Sequence, residues 1–594
     1  MKKYRYIAAG LLLFCLILYV LAHLAIPDHV TSRTATSVQN MPPAPYPDDF
    51  DRQLGQMHSM KVLRHTESAA HIPWQTTSEF PEIGSPLARK GGCLRMSNVG
   101  PFPANFLAFG SPSPQFFHYN LFTRIDVPLV REHPTTGQQI PGLAEAWAEH
   151  QGLLWFRLNP EARYSNGRPV RAGDFALGAL LREQTGDSTC SNIIDELHVY
   201  EDSVLAIKLR RKSIEPYLIA AQALHPAEPG FYAEFGSDYQ KRYQHRIPPT
   251  TGAYTVGKVQ RGRLITLVRN DAWWAKNLAG FRHTCNADTI EHHFLTDEAQ
   301  VWELFLRGAL DVLQTRNIVA WQEKITYADS QIKQLRFTLN YPMPPYGIAL
   351  NAQTLPDLNL RKGLMHSMDM QYAMQIIFRG EVERLPQFAS GYARIQHTSS
   401  PYSYNPESAR AYFHAAGYTH CGADGILMKE DGTRLSIRLA YTPSEKVSTL
   451  VALLSQSAKT CGAEIVPEPL PWQSCSNLVR QKQHHMLFWS TVAGNPLPNY
   501  RQCFHSSATG DDAPFNLHSH EIDLAIEYFE SATTQDELNT AAATIEKLIY
   551  EQAVWLPGWM ENRVNIATWP HVHFPQGAYS TYDLTESHTF WLSH

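Results

Sequence analysis

Residues 141–175 read PGLAEAWAEHQGLLWFRLNPEARYSNGRPVRAGDF, and the fold can be worked out from this stretch. Leu154, Phe156 and Leu158 alternate with Trp155 and Arg157, the spacing of a strand with one face turned inward. Ser165-Asn166-Gly167 then signals a turn, because Asn and Gly tolerate positive φ. Asp174 stands where a helix N-cap is expected, ahead of Phe175-Ala176-Leu177. Strand, tight turn and helix start follow in order, with no catalytic cluster among them.

The same alternation continues in both directions. Lys90-Gly91-Gly92 is a turn that opens the globular body and feeds a strand at Cys93–Ser97. Thr251-Gly252-Ala253-Tyr254 precedes a strand at Leu264–Val268, which ends at Asn270, Asp271, Trp273 and Trp274. A helix is expected over Glu298–Phe305, closed by Gly308 before Leu310-Asp311-Val312. Tyr346–Asn351 reads as a strand. Asp357–Met370 reads as a helix with Arg361 and Lys362 on its exposed side. Asn405 caps a helix with Pro406 in its first turn, where a missing N–H costs little, and Gly417 ends it. Thr534 and Glu537 form a capping box ahead of Leu538, Ala542, Ile545 and Ile549. Strands alternating with helices give an α/β class.

The chain has 594 residues, enough for several lobes, and a net charge of −5. That weak acidity argues against a nucleic-acid partner. Lys2, Lys3 and Arg5 (within a basic start, 1–6, expected in the cytoplasm) precede an apolar run from Ile7 to Ile26. Such a run can span a bilayer, with the remainder exported. Two readings stay open: a signal peptide cut after Val20-Leu21-Ala22, or an uncleaved anchor. Residues 27–85, rich in Pro, Ser and Thr, read as a tether with partial order near its end. The seven cysteines beyond the run show no C-x-x-C spacing, so a zinc ribbon is not supported. Cys475–Cys503 and Cys421–Cys461 are candidate bridges in an exported compartment.

In order along the chain, these landmarks resemble the family 5 extracellular solute-binding proteins, which bind dipeptides, oligopeptides and nickel. The family's P-x-L-A-E-S-W is matched by Leu143-Ala144-Glu145-Ala146-Trp147, its W-x-F-x-L-R by Trp155-Phe156-Arg157-Leu158, and its S-D-G-x-P block by Ser165-Asn166-Gly167-Arg168-Pro169. Thr251–Tyr254, Asn270–Trp274 and Gly308–Val312 match three further blocks. Ala88–Gly92, Trp274–Leu278 and Leu556-Pro557-Gly558-Trp559 are similar to the Yej-type members, which bind oligopeptides and microcin C.

The resemblance implies a two-lobed periplasmic binding protein-like fold of the cluster C type, with an extra domain and a hinge between lobes. It divides the chain into lobe I (86–122, 245–338 and 556–594), the extra domain (123–244) and lobe II (339–555). It implies a monomer in the periplasm, either free or anchored by 7–26, that passes a peptide or peptide-like ligand to ABC permease subunits served by a cytoplasmic ATPase. No cofactor, metal or enzymatic activity is implied. The candidate ligand-binding residues are Asn98, Phe102, Tyr119, Trp489, Ser490, Asn495 and Trp559, with ordinary core packing the alternative for the three large aromatics. Many peptide binders of the family hold the ligand's ammonium with an Asp after a lobe II Trp, whereas Trp489–Pro496 contains no acid. Histidine pairs such as His571-x-His573 keep a metal-complex or haem receptor as an alternative, and an anchored sensor of the same fold is another. No G-x-S-x-G elbow, P-loop or H-E-x-x-H is present.

Overall fold

Leu153–Leu158 forms the expected strand and pairs antiparallel with Ala144–His150 on one side and Val204–Leu209 on the other. Its inward side chains, Leu154, Phe156 and Leu158, join a large apolar core. The computed structural model describes residues 41–69, 71–110, 126–325, 331–339, 343–392, 394–396, 400–490, 497–508, 513–575 and 589–593. The apolar run 7–26 therefore lies outside the described residues. Among those described, no helix is long and apolar enough to cross a membrane.

Four larger sheets are built from the described residues. The first runs Lys61–His65, Ile194–Tyr200, Val204–Leu209, Leu153–Leu158, Ala144–His150. The second runs Cys93–Val99, Thr289–Leu295, Leu264–Arg269, Tyr254–Gln260. The third is Val312–Thr315, Arg563–Thr568, Lys333–Thr338, all antiparallel. The fourth runs Glu464–Pro469, Ser436–Tyr441, Met486–Ser490, Pro345–Leu350, Trp555–Met560. An expected lobe boundary at 556 falls inside this last strand, which pairs along its length with Pro345–Leu350.

The helix after the Ser165–Gly167 turn begins earlier than expected, at Ala172. Asp174 is not its N-cap. It is the third helical residue, fully buried, and its carboxylate accepts from Arg171 N at 3.0 Å, Tyr46 Oη at 2.8 Å and Tyr164 Oη at 3.1 Å. Burial pushes its pKa up to about 7 against those donors. Gly173 is needed here, because a Cβ would come within 2.4 Å of Tyr46 Oη.

Tyr46 belongs to the stretch expected as a tether. From Ala44 onward that stretch folds onto the body instead. Phe50 and Leu54, four apart on the short helix Phe50–Gly55, enter the first core with Met60. Lys61–His65 then adds a parallel edge strand to the first sheet. One helical turn and one strand are too short to override the local Pro and Ser content in a composition reading.

Arg361 also departs from expectation. It is 4% exposed, with Nη1 donating to Leu355 O at 2.7 Å and Nε to Gln552 O at 3.0 Å, so it ties its helix to a distant one. The helix spans Leu358–Ser367, and a second, Met370–Phe378, follows. The caps at Asn405 and Thr534 form as expected. No disulfide joins any of the described cysteines, so neither candidate bridge is made.

Three of the motif blocks brace the second and third sheets. Trp273 Nε1 and Trp274 Nε1 both donate to Thr251 O at 2.9 Å. Asp311, 1% exposed, receives Arg95 N at 2.7 Å, Arg95 Nε at 3.0 Å and His571 Nε2 at 2.9 Å. Burial alone would raise its pKa, but Arg95 and His571 outweigh burial and lower it. A carboxyl lowered on folding stabilises the native state above its unfolded pKa, and that stability is lost as pH falls through the folded value. Arg95→Met should therefore cost about 2 kcal/mol, less than a fully buried pair because Arg95 is partly exposed. Urea titrations should show the wild-type advantage at neutral pH shrinking in acid. An equal midpoint for both proteins at pH 7 would contradict the role given to this pair.

Candidate functional site

Among the described residues, the chain passes between the third and fourth sheets twice. The first crossing follows Thr338, and the second is Glu561-Asn562, between Trp555–Met560 and Arg563–Thr568. The crossings are tied together by Leu339 N donating to Asn562 O at 2.8 Å. Glu381 pins them from the side, accepting from Arg563 Nη1 at 3.1 Å.

The strand ends at these crossings form one cluster. Register places Tyr346 opposite Ser490 on one neighbour and opposite Trp559 on the other. A bulge at Pro557-Gly558 breaks the second pairing between Tyr346 and Gly347. Tyr346 stacks on Trp559 at 5.4 Å and on Phe488 at 6.0 Å, and Phe378 meets the Trp559 ring edge-on at 5.0 Å. Lys446 Nζ lies 5.6 Å from the Trp559 centroid and 2.5 Å from Glu561 Oε1. Burial and then the Glu561 charge push the Tyr346 phenol up to about 12, while Ser490 and Arg316 pull it down. Tyr346 is therefore a neutral hydroxyl at any physiological pH. The arrangement is a stacked aromatic cluster in which Tyr346 and Phe488 are half-buried, with the polar groups Ser490, Lys446 and Glu561 beside them. Among the described residues, no group of three His, Cys, Asp or Glu side chains is placed to hold a metal.

Of the sequence-predicted residues, Ser490 and Trp559 flank Tyr346, but Trp559 is 1% exposed and packs in the core, the alternative stated for it. Trp489 goes elsewhere. Strand alternation turns it to the opposite face of the fourth sheet, into the core with Leu487 and Trp555, while Phe488 faces the Trp559 side. There Trp489 stacks at 4.5 Å on Trp472, which is 54% exposed. Asn98 and Phe102 form a separate group at the end of the second sheet. Asn98 Nδ2 lies 3.0 Å from His292 Nδ1, and Phe102 packs on Phe294 at 4.7 Å. Tyr119 and Asn495 lie outside the described residues, as does the acid-free stretch 491–496. His571 serves Asp311, and His573 stacks on Trp591 at 5.6 Å.

Sequence reasoning missed Tyr346, Phe488, Lys446 and Glu561. Tyr346 and Phe488 could have been found from alternation within their strands. Lys446 and Glu561 carry no local signal, because their pairing spans more than a hundred residues of chain. A hollow of about 330 Å³ lined by Gly380, Val382 and Arg384 borders the bulge, where Arg384 Nε donates to Pro557 O at 3.0 Å. Another, of about 890 Å³, lies apart from the cluster, between Asp49–Gln53 and Phe235–Lys241.

Gly347 tests the geometry. A Cβ there would approach Leu556 O to 2.5 Å and the Trp555 ring to 2.7 Å. Gly347→Ala should cost about 1–3 kcal/mol through overpacking. Thermal unfolding measures this, and an unchanged midpoint would contradict the strand spacing described.

Comparison with known proteins agrees with this architecture. A profile for bacterial extracellular solute-binding proteins, family 5 Middle, matches residues 138–512, more than half of the chain. YejA of Escherichia coli K12, described as uncharacterized, is 25% identical over 261 residues, 41% of this chain and 40% of its own length. The peptidoglycan-binding protein YepA of Agrobacterium fabrum is 20% identical over 336 residues, 52% of this chain and 53% of its own. The chain spans about half or less of the length of the curated relatives it matches. AppA from Bacillus subtilis, solved with a nonapeptide, superposes with a TM-score of 0.70 at 16% identity, covering 85% of this chain and all of that one. NikA from Brucella suis, solved with Fe(III)-EDTA, gives 0.67 at 19% identity, covering 82% and 98%. At these identities the solved structures speak for the fold, which is two-lobed and mixed α/β.

Proposed function

The chain belongs to the bacterial extracellular solute-binding proteins, family 5, and on that premise we propose that it captures oligopeptides or peptide-like compounds in the periplasm by hinge closure, as the substrate-binding component of an ABC importer. The observation that supports this reading is the half-buried pair Tyr346 and Phe488 beside Ser490, at the paired crossings between the third and fourth sheets. Main-chain groups at the strand ends would pair with the ligand backbone, and the stacked rings would take its apolar side chains. Asn98 and Phe102 would meet the ligand from the second sheet. With no acid in Trp489–Pro496, Glu561 would receive a ligand ammonium, exchanging its partner Lys446 for it. The partners of this reading are ABC permease subunits with a cytoplasmic ATPase. Residues 7–26 either are removed on export or hold the protein at the inner membrane.

A tryptic peptide mixture should raise the unfolding temperature of the full chain. A ligand at a hundred times its Kd contributes about 2.7 kcal/mol when it binds the native state alone. Tyr346→Ala should diminish the shift and Trp489→Phe should leave it, since the two rings lie on opposite faces of the sheet and only Tyr346 is half-buried. No shift with any peptide pool, together with a shift for metal chelates or haem, would overturn the peptide reading in favour of a metal-complex receptor.

A further inference from the structure

The extra domain, which shares the first core with the second sheet, also meets lobe II at a place away in sequence from the crossings. Glu132 ends the strand Val130–Glu132, and Glu215 precedes the helix Pro216–Ala223. Both elements pack in the first core through Val130, Leu218 and Ala220. Arg394 belongs to lobe II. Its neighbours Tyr392 and Ile395 lie in the third core, and Gln535 Nε2 donates to its carbonyl at 2.5 Å. Arg394 Nη1 lies 2.5 Å from Glu215 Oε1, and Nη2 lies 3.8 Å from Glu132 Oε1. Beside this group Arg211 pairs with Glu530, which Arg501 Nε also holds at 2.8 Å. Ile214, between the two charged contacts, packs against the third core.

We propose that Arg394, clamped between Glu132 and Glu215, is a closure latch that holds the lobes together and sets how readily the cleft opens, without touching the ligand. The physical reason lies in the charge arrangement. Glu132 and Glu215 repel each other, and both are partly withdrawn from water. Burial raises both carboxyl pKa values, and Arg394 is the charge that opposes this. With Arg394 in place, two carboxylates and a guanidinium form a compact network, and Ile214 is covered. Without it, two like charges face each other across a partly dry contact, and water entry on opening relieves them. The Arg211–Glu530–Arg501 group then remains as a weaker, more exposed contact. Affinity would carry this as a tax or a gain on the binding-competent closed population. This step rests on reading hinge closure as the capture event.

Hydrogen exchange of the ligand-free full chain, followed by mass spectrometry, tests the latch. Arg394→Gln should speed exchange about tenfold in peptides containing Glu132 and Arg211–Glu215, and also at the strand ends 345–347 and 488–490. A purely local role would not move the strand ends. The charge swap Arg394→Glu with Glu215→Arg should restore protection at both places. Arg211→Glu supplies an independent second variant and should show the same pattern with a smaller effect. Faster exchange confined to residues beside Arg394, or failure of the swap to restore the strand ends, overturns the proposal. Because no ligand is used, this outcome is separate from whether peptides bind.

Discussion

The hydrogen bond from Leu339 N to Asn562 O joins the two segments through which the lobes are connected. Paired crossings bend readily and slide poorly, since each restrains the other's register. The third sheet anchors one end of both segments, because Lys333–Thr338 and Arg563–Thr568 are neighbours there. Pro345–Leu350 and Trp555–Met560 are neighbours in the fourth sheet and anchor the other end. On the proposed hinge reading, a ligand over Tyr346 lies beside the axis, where rotation moves atoms least and the surface is the same in both states.

That position explains the composition of the cluster. If the crossings act as the proposed hinge, side chains there must remain packed in both states, which favours rings stacked on one another over long flexible chains. The polar groups sit around the rings: Ser490 and Glu561 at strand ends, Lys446 in the first turn of the helix Glu445–Thr460, and Arg316 close enough to act on the Tyr346 phenol. An ion pair such as Lys446–Glu561 satisfies both charges when no ligand is present and can be exchanged for a charged ligand group at modest cost, because both side chains are partly exposed.

Much of the fold was legible in the sequence because its signals are local. The strand at Leu153–Leu158, the helix after Asn405 and the capping box at Thr534 each declare themselves within a few residues. What escaped depends on distant partners. Asp174 and Arg361 look like surface polar residues until Tyr46 and the Gln552 carbonyl arrive from elsewhere in the chain. Phe50 and Leu54 sit in a Pro-rich setting that hid a single helical turn. Trp489 and Ser490 were both read as ligand contacts, yet neighbours on a strand face opposite ways, and the pairing with Tyr346 puts Ser490 on the Phe488 side and leaves Trp489 in the core behind.

The most direct test of the central claim is to locate a bound ligand. Hydrogen exchange of the full chain with and without a tryptic peptide mixture does this. The account predicts slower exchange on both sides of the crossings, at 345–347, 488–490 and 557–560, together with 98–102. Slowing confined to one lobe, or to the hollow between Asp49–Gln53 and Phe235–Lys241, would contradict it.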